Sequence, residues 1–522
     1  MPTGADLLVP RTPLPHFVLK EAYGLGDKPA LIDGPSGRLL TYAQLAGGVE
    51  RVAAALAGRG FGRGDVFGVL SPNLPEFPVA FHGALRAGGV ATTMNPLSSA
   101  DELAHQLADS GARYLLTVPP LLETAREAAD RSGVEEVFVF GEAEGATPFA
   151  SLLAETDGHE KPPELHDFDP TTALAALPYS SGTTGLPKGV MLTHHNLVAN
   201  VLQFEAVDDG AADDVLIAVL PFFHIYGMTL LVNAALRTGQ TVVSMPRFDL
   251  EGFLQLMQDH KVNKAFLVPP ILVALAKHPL VDRYDLSALE RVVSGAAPLG
   301  EEVAAAVAER LGCEVKQGFG MTEASPVTHF VPADRTPWTK YGSVGPAVPG
   351  VEARLVDVET GGAVPDGERG ELWVRGPNVM KGYLNNAEAT AHTLDDDGWL
   401  HTGDVAVVDG DGDYFIVDRV KELIKYKGYQ VPPAELEALL LGHDAIADAA
   451  VIPVPDEEAG EIPKAYVVAK PGHDLTADDV IAFTAERVAP YKKVRQVAFV
   501  DEIPKSASGK ILRRVLVERD RA

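Results

Sequence analysis

Cysteine is almost missing from this chain, with Cys313 the only one in 522 residues. A single thiol excludes an internal disulfide, a thiolate zinc cluster and a CxxC redox pair, and it fits a reducing compartment. Positive charge is also scarce: 44 Lys and Arg stand against 72 Asp and Glu, a formal net charge of −28. Such a surface repels phosphate backbones and anionic headgroups, so no nucleic-acid partner is expected. Any anionic ligand needs a local site that reverses the field. The opening MPTGADLLVPRTPLP lacks the basic start and apolar run of an export signal, and a cytoplasmic location is expected. Long apolar runs are rare as well. The stretch 215–236 carries no Asp, Glu, Lys or Arg, but Pro221, His224 and Gly227 interrupt it. That pattern predicts a buried strand, a loop and then a helix rather than a membrane span.

What the sequence does have is length and a layered apolar texture. At 522 residues, 46% hydrophobic and 22% charged, it is globular and too long for one core. Near the start, ALIDGPSGRLLTY reads as two short strands about a Gly/Pro turn, with Thr41 placed to cap a helix reaching Arg59. Strands predicted at 66–70, 89–92, 114–117 and 137–140 alternate with helices over 76–86 and 101–110. A second round starts near Leu174 and continues through 215–220, 240–245, 264–268 and 291–294. The expected class is therefore α/β with a mostly parallel sheet, built as two stacked α/β subdomains. From Gly342 to Asp418 the texture changes to short strands and turns, as in a small antiparallel β-barrel or sheet. Beyond it lies an α+β module with helices starting at Pro433 and after Thr476, and strands near 449–452, 465–469 and 496–500. The predicted division is 1–418 for a large N-terminal domain and 419–522 for a small C-terminal one.

The strongest local signal is LPYSSGTTGLPKGVMLTH. A strand ends at Tyr179, and Ser180, Ser181, Gly182, Thr183, Thr184 and Gly185 lead to Lys188. Small residues let backbone N–H groups approach phosphate oxygens, hydroxyls add donors, and the lysine adds charge. It is not a Walker loop, since Pro187 precedes Lys188 and Gly189 follows it. DGDGD (409–413) lacks the glycine and glutamate positions of an EF-hand and reads as a hairpin turn. The adjacent His194 and His195 point in different directions on a helix and make a poor metal pair.

SSGTTGLPKG resembles the phosphate loop of the adenylate-forming superfamily, which contains acyl- and aryl-CoA synthetases, peptide-synthetase adenylation domains and firefly-type luciferases. QGFGMTE (317–323), WLHTGD (399–404), YFIVDRVKELIKYKGYQV (414–431) and PKSASGKILRR (504–514) resemble further motifs of that superfamily, in order and across almost the whole chain. The resemblance implies ATP, Mg2+ and CoA as the reaction's small molecules, together with a carboxylic acid, and a chain working as monomer or homodimer. It implies that Thr322 and Glu323 meet the phosphates and magnesium. Gln317, Gly318 and Phe319 would lie beside the nucleotide, Phe319 replacing a frequent tyrosine and so losing a phenol hydrogen bond. Gly295, Ala296 and Ala297 of SGAAPL would leave a slot for adenine. Asp404 and Arg419 would hold the ribose, and Lys510 would bridge the carboxylate and the α-phosphate. Lys421 matches the hinge of a mobile C-terminal domain. Lys425 and Gln430 match positions that meet the adenylate, and the loop at Lys427 and Gly428 faces CoA after rotation.

PFFHIYGM (221–228) resembles the corresponding segment of 4-coumarate:CoA ligases. His224 then corresponds to a gate at the carboxylate and Tyr226 to the residue beside the aromatic ring, with Gly295 and Gly320 lining the same space. This segment offers no Asp to pair with an amino acid's ammonium group, which disfavours an amino-acid substrate. The expectation is an ATP-dependent ligase forming an acyl-adenylate and then a CoA thioester on 4-coumarate or cinnamate-type acids. The alternatives are a medium- or long-chain fatty acyl-CoA synthetase and a non-catalytic nucleotide-binding homologue.

Overall fold

The computed structural model describes residues 7–155, 161–164, 168–180, 187–358, 360–365, 367–427, 429–456, 458–507 and 509–521. The predicted α/β alternation forms two large sheets. In one, Val90–Met94, Val66–Leu70, Ala112–Thr117 and Glu136–Val139 run parallel, and Leu174–Ala176 and Lys188–Thr193 continue past Val90–Met94 to Gly382–Tyr383 at the edge. In the other, Thr241–Ser244, Val215–Ala218, Lys264–Leu267, Arg291–Ser294 and Glu314–Gly320 are parallel, with Val327–Phe330 antiparallel at one edge. The early hairpin, Pro29–Asp33 with Leu39–Thr41, does not join the sheet that follows it in sequence. It pairs with Thr241–Ser244 and so ties the chain's start to the second sheet.

Helices packed against these sheets complete the main core. Tyr42–Gly58 begins at Thr41, whose side chain accepts from the Gln44 N–H while Gln44 answers to the Thr41 backbone, a capping box. Phe77–Arg86 buries every residue but its last, as a helix apolar on all sides must. It meets the first helix so closely that a Cβ at Gly83 would lie 2.5 Å from the Val52 side chain. The charge-free stretch resolves into the strand Val215–Ala218, a turn through Pro221, and helical turns from Ile225 to Thr238 with a π-helical middle, Met228–Ala234. Among the described residues no helix is long and apolar enough to cross a membrane.

The expected small barrel is instead an open sheet. Glu352–Val356, Gly370–Arg375, Leu400–Val408 and Tyr414–Arg419 form a four-stranded antiparallel meander whose first and last strands do not pair. Four strands are too few to close with filled interior positions. The last strand is tied to the large domain instead, through the Val344 N–H donating to the Tyr414 carbonyl. DGDGD is the hairpin turn before that strand, and Lys340 Nζ sits 2.6–2.8 Å from its three carboxylates. The C-terminal strands Ile424–Tyr426, Tyr429–Val431, Ile446–Asp456, Gly460–Ala469 and Gln496–Phe499 form a separate sheet. Helices Pro433–Leu441 and Ala477–Ala485 close a core of their own over it, with Leu436, Ile446, Val467 and Val480 fully buried.

Candidate active site

The site lies beyond the carboxyl ends of the parallel strands Lys264–Leu267, Arg291–Ser294 and Glu314–Gly320, where open α/β sheets leave a crevice. Its apolar wall is made by Tyr226, Leu230, Val293, Met321, Val327 and Phe330, with His224 and Lys510 also lining the pocket. His224 follows the turn at Pro221. Its Nδ1 accepts the Tyr226 N–H at 3.3 Å, which leaves Nε2 as the protonated nitrogen. Burial, helped by the Lys510 cation, pushes its pKa down to about 4, so the imidazole is neutral near pH 7. Tyr226 is buried, and its hydroxyl finds no partner among the described residues.

Glycine is required opposite that ring: a Cβ on Gly295 would sit 2.9 Å from Tyr226 Oη. Ala296 follows with φ of 70°, a left-handed conformation that a residue with a Cβ rarely adopts. Ala297 is half-buried next to it. Gly320 and Gly318 also border the pocket, but their missing side chains serve the Val327–Phe330 hairpin as well. A Cβ would stand 2.3 Å from the Pro326 carbonyl oxygen at Gly320 and 2.9 Å from Phe330 at Gly318.

The polar half is built on the small sheet. Asp404 and Arg419 are directly opposed on antiparallel strands, and Arg419 Nε donates to Asp404 Oδ1 at 3.1 Å. Burial raises the Asp404 pKa, against the pull of Arg419 and Lys510, while the Asp404 carboxylate raises that of Arg419. Lys510 lines the pocket with its side chain although the residue as a whole is exposed. Desolvation lowers its pKa first and Arg419 lowers it further, whereas Asp404, Glu323 and Glu422 oppose the shift. Gly509 seats this loop on the large domain, its Cβ position 3.3 Å from Val268.

Glu323 is 5% exposed, and Tyr383 Oη donates to its Oε1 at 2.8 Å. The second carboxylate oxygen and the neighbouring Thr322 hydroxyl are hard oxygen donors. One carboxylate plus substrate phosphates is the way proteins usually hold Mg2+, so these residues fit that ion.

The structure thus brings His224, Tyr226, Gly295, Ala296, Gly318, Phe319, Gly320, Thr322 and Lys510 to one pocket, with Glu323, Asp404 and Arg419 beside Lys510. Gln317 is buried behind it, its Nε2 reaching the Leu299 carbonyl at 3.4 Å. Ser180 pairs opposite Lys188, while Ser181, Gly182, Thr183, Thr184 and Gly185 lie outside the described residues, as does Gly428. Lys421, Lys425, Lys427 and Gln430 are exposed and away from the pocket. Lys425 and Gln430 face each other across a hairpin, and Lys427 pairs with Glu458. This is therefore the arrangement with Lys510 inside and that hairpin outside. Tyr383 is the site residue that the sequence reading missed. It sits in KGYLNN, whose only signal is a tyrosine after a glycine.

The sequence model of the AMP-binding enzyme family matches residues 19–384, and that of the AMP-binding enzyme C-terminal domain matches 435–510. Among curated relatives, 4-coumarate–CoA ligase 5 of Oryza sativa subsp. japonica is 45% identical over 520 residues, covering 98% of this chain and 95% of that one. 4-Coumarate–CoA ligase 2 of Petroselinum crispum is 43% identical over 519 residues, with the same coverage. Of solved structures, ATP-bound MatB from Rhodopseudomonas palustris superposes with a TM-score of 0.87 at 30% identity, covering 96% of this chain and 98% of that one. The anthranilate CoA ligase AuaEII in complex with anthranoyl-AMP gives 0.89 at 27% identity, covering 98% of both.

Proposed function

The chain belongs to the AMP-binding enzyme family, and on that premise we propose how its pocket works and which acid it takes. It is an ATP-dependent acid–thiol ligase. A carboxylate is a poor electrophile, so the acid is first activated. One carboxylate oxygen attacks the α-phosphorus of ATP, pyrophosphate leaves, and an acyl-adenylate remains. The thiol sulfur of CoA then attacks the acyl carbon, AMP departs, and the thiol proton is lost to solvent.

The observation that carries this reading is Lys510, a cation lining an apolar pocket beside neutral His224 and the Asp404–Arg419 pair. In adenylation, negative charge gathers on the carboxylate and α-phosphate oxygens, and a preplaced cation in a dry site stabilises it. His224 Nε2–H orients the carboxylate without competing for its charge. Asp404 takes the ribose hydroxyls, and Ala296 and Phe319 flank the base. Ser180 to Gly185 and Lys188 wrap the outer phosphates. Glu323 and Thr322 would hold Mg2+, which when bound would neutralise charge on the leaving pyrophosphate.

The ring of the acid lies against Tyr226 in the pocket that Gly295 and Gly320 line. The high identity to 4-coumarate–CoA ligases supports 4-coumarate or cinnamate as the acid. For the second step, residues 419–522 turn about Lys421 relative to 1–418, withdrawing Lys510 and bringing Lys425, Gln430 and the Lys427–Gly428 loop to the adenylate and CoA. The protein acts in the cytoplasm, as a monomer or homodimer. The test is a panel of 4-coumarate, cinnamate and octanoate with ATP and Mg2+. AMP and pyrophosphate should appear with the aromatic acids. Preferential release with octanoate overturns the acid class, and no release with any acid overturns the activity.

A further inference from the structure

We propose that Tyr383 is a positioning residue that couples the metal-side carboxylate of Glu323 to the phosphate-side ammonium of Lys188, using its hydroxyl for one and its ring face for the other. This rests on the assignment of Glu323 to Mg2+ and Lys188 to the phosphates. Gly382–Tyr383 is a two-residue strand laid antiparallel on Lys188–Thr193, with Tyr383 opposite Val190. The Leu384 N–H donates to the Gly189 carbonyl and the Met380 N–H to the Glu323 carbonyl, each at 2.8 Å. Residues 380–384 therefore strap the start of the lysine's strand to the glutamate's backbone.

The side chain repeats that link. Tyr383 Oη donates to Glu323 Oε1 at 2.8 Å, and Lys188 Nζ stands 4.1 Å from the centroid of the same ring. Tyr383 is 5% exposed, as is Glu323, so neither contact is a loose surface one. A buried carboxylate with one oxygen fixed cannot swing, and its second oxygen is kept for a metal ion. An aromatic face is also the kind of neighbour that holds an ammonium in place without cancelling its charge. An acid in that position would neutralise Lys188 before the nucleotide arrived. With the ring there, the cation remains available to the phosphates.

The experiment is calorimetric titration of ATP into the enzyme without acid or CoA, so that nothing turns over, with and without Mg2+. Tyr383→Phe keeps the ring and loses the hydroxyl. It should cut the Mg2+-dependent gain in ATP affinity about tenfold and leave Mg2+-free affinity unchanged. Tyr383→Leu loses both contacts and should also weaken Mg2+-free binding about two- to fivefold. If Tyr383→Leu does not fold, Tyr383→Phe alone carries the test. A purely structural tyrosine would weaken both conditions alike, and that result, or no change in either, overturns the proposal. Glu323→Gln separates the two levels. If it abolishes the Mg2+ gain while Tyr383→Phe preserves it, the coupling fails and the metal assignment stands. If Glu323→Gln keeps the gain, the metal assignment fails and the coupling with it.

Discussion

Replacing Lys510 by alanine should disable one half-reaction and spare the other. The Lys510 side chain lines the pocket and its pKa is lowered chiefly by desolvation, while the residue as a whole stays exposed, so its charge acts at the effective dielectric of a site near the surface. A cation about 4 Å from one unit of developing charge, at an effective dielectric near 20, is worth about 4 kcal/mol, or about a thousandfold in rate. Losses of about 10²–10³-fold are typical when one preorganised donor is removed from a developing anion. Pyrophosphate release in a single turnover reads the first step, and AMP release from supplied aryl-adenylate plus CoA reads the second. The first should fall about a thousandfold and the second by less than about threefold. Stability should not suffer, because Lys510 is exposed and substitutions of exposed side chains usually change stability by about 0.5 kcal/mol or less. Equal losses in both steps, or a first-step loss below about tenfold, would refute the role given to this lysine.

The other predictions follow from the same geometry. Gly295→Ala places a methyl group 2.9 Å from Tyr226 Oη, an overpacking that costs about 1–3 kcal/mol. It should raise the KM for 4-coumarate about five- to hundredfold while ATP affinity measured by titration falls by less. An equal loss of ATP affinity would place the damage elsewhere. The pH profile of the first half-reaction should show no histidine limb between pH 5 and 8, because His224 is held near a pKa of about 4 and is already neutral there. On the alkaline side, Lys510 loses its charge as pH rises through a pKa below the ordinary lysine value. The rate should therefore fall earlier than an unperturbed lysine predicts, and Lys510→Ala should abolish that limb. An inflection near 6.5 that vanishes in His224→Gln would contradict the neutral histidine.

What could be read from the sequence was whatever local chemistry encodes. The strands over 66–70 and 291–294 and the caps at Thr41 and Thr476 declare themselves within a few residues, and the structure has them there. The motif residues 317–323, 404, 419 and 510 do converge. Long-range pairing was not legible. Nothing in PALID announces that it will lie beside Thr241–Ser244, since partner choice depends on which edge is free after the sheets assemble. Short strands with turns over 342–418 satisfy a barrel and an open meander equally well until the outer strands either meet or do not. Tyr383 was invisible for a related reason. Its importance comes from two neighbours, about 60 residues before it at Glu323 and further still at Lys188, and no spacing rule reports that.

The acidic composition and a polyanionic substrate are reconciled by how the site's charges are spent. The chain's −28 should repel a nucleotide at long range, yet screening confines that penalty to about 8–10 Å at physiological salt, so the local field decides binding. Within the site, Asp404 is taken up by Arg419 and one oxygen of Glu323 by Tyr383. Lys188 rests on an aromatic ring, and Lys510 lines an apolar pocket with Asp404 and Glu323 near it. The acids are thus partnered while these two ammonium groups keep their charge for a ligand. One of the two, Lys510, belongs to the C-terminal segment that packs its own core. On the roles proposed above, the positive field that favours adenylation would be assembled only while that segment is docked, and rotation of the segment would remove it with no change in the large domain's own charges.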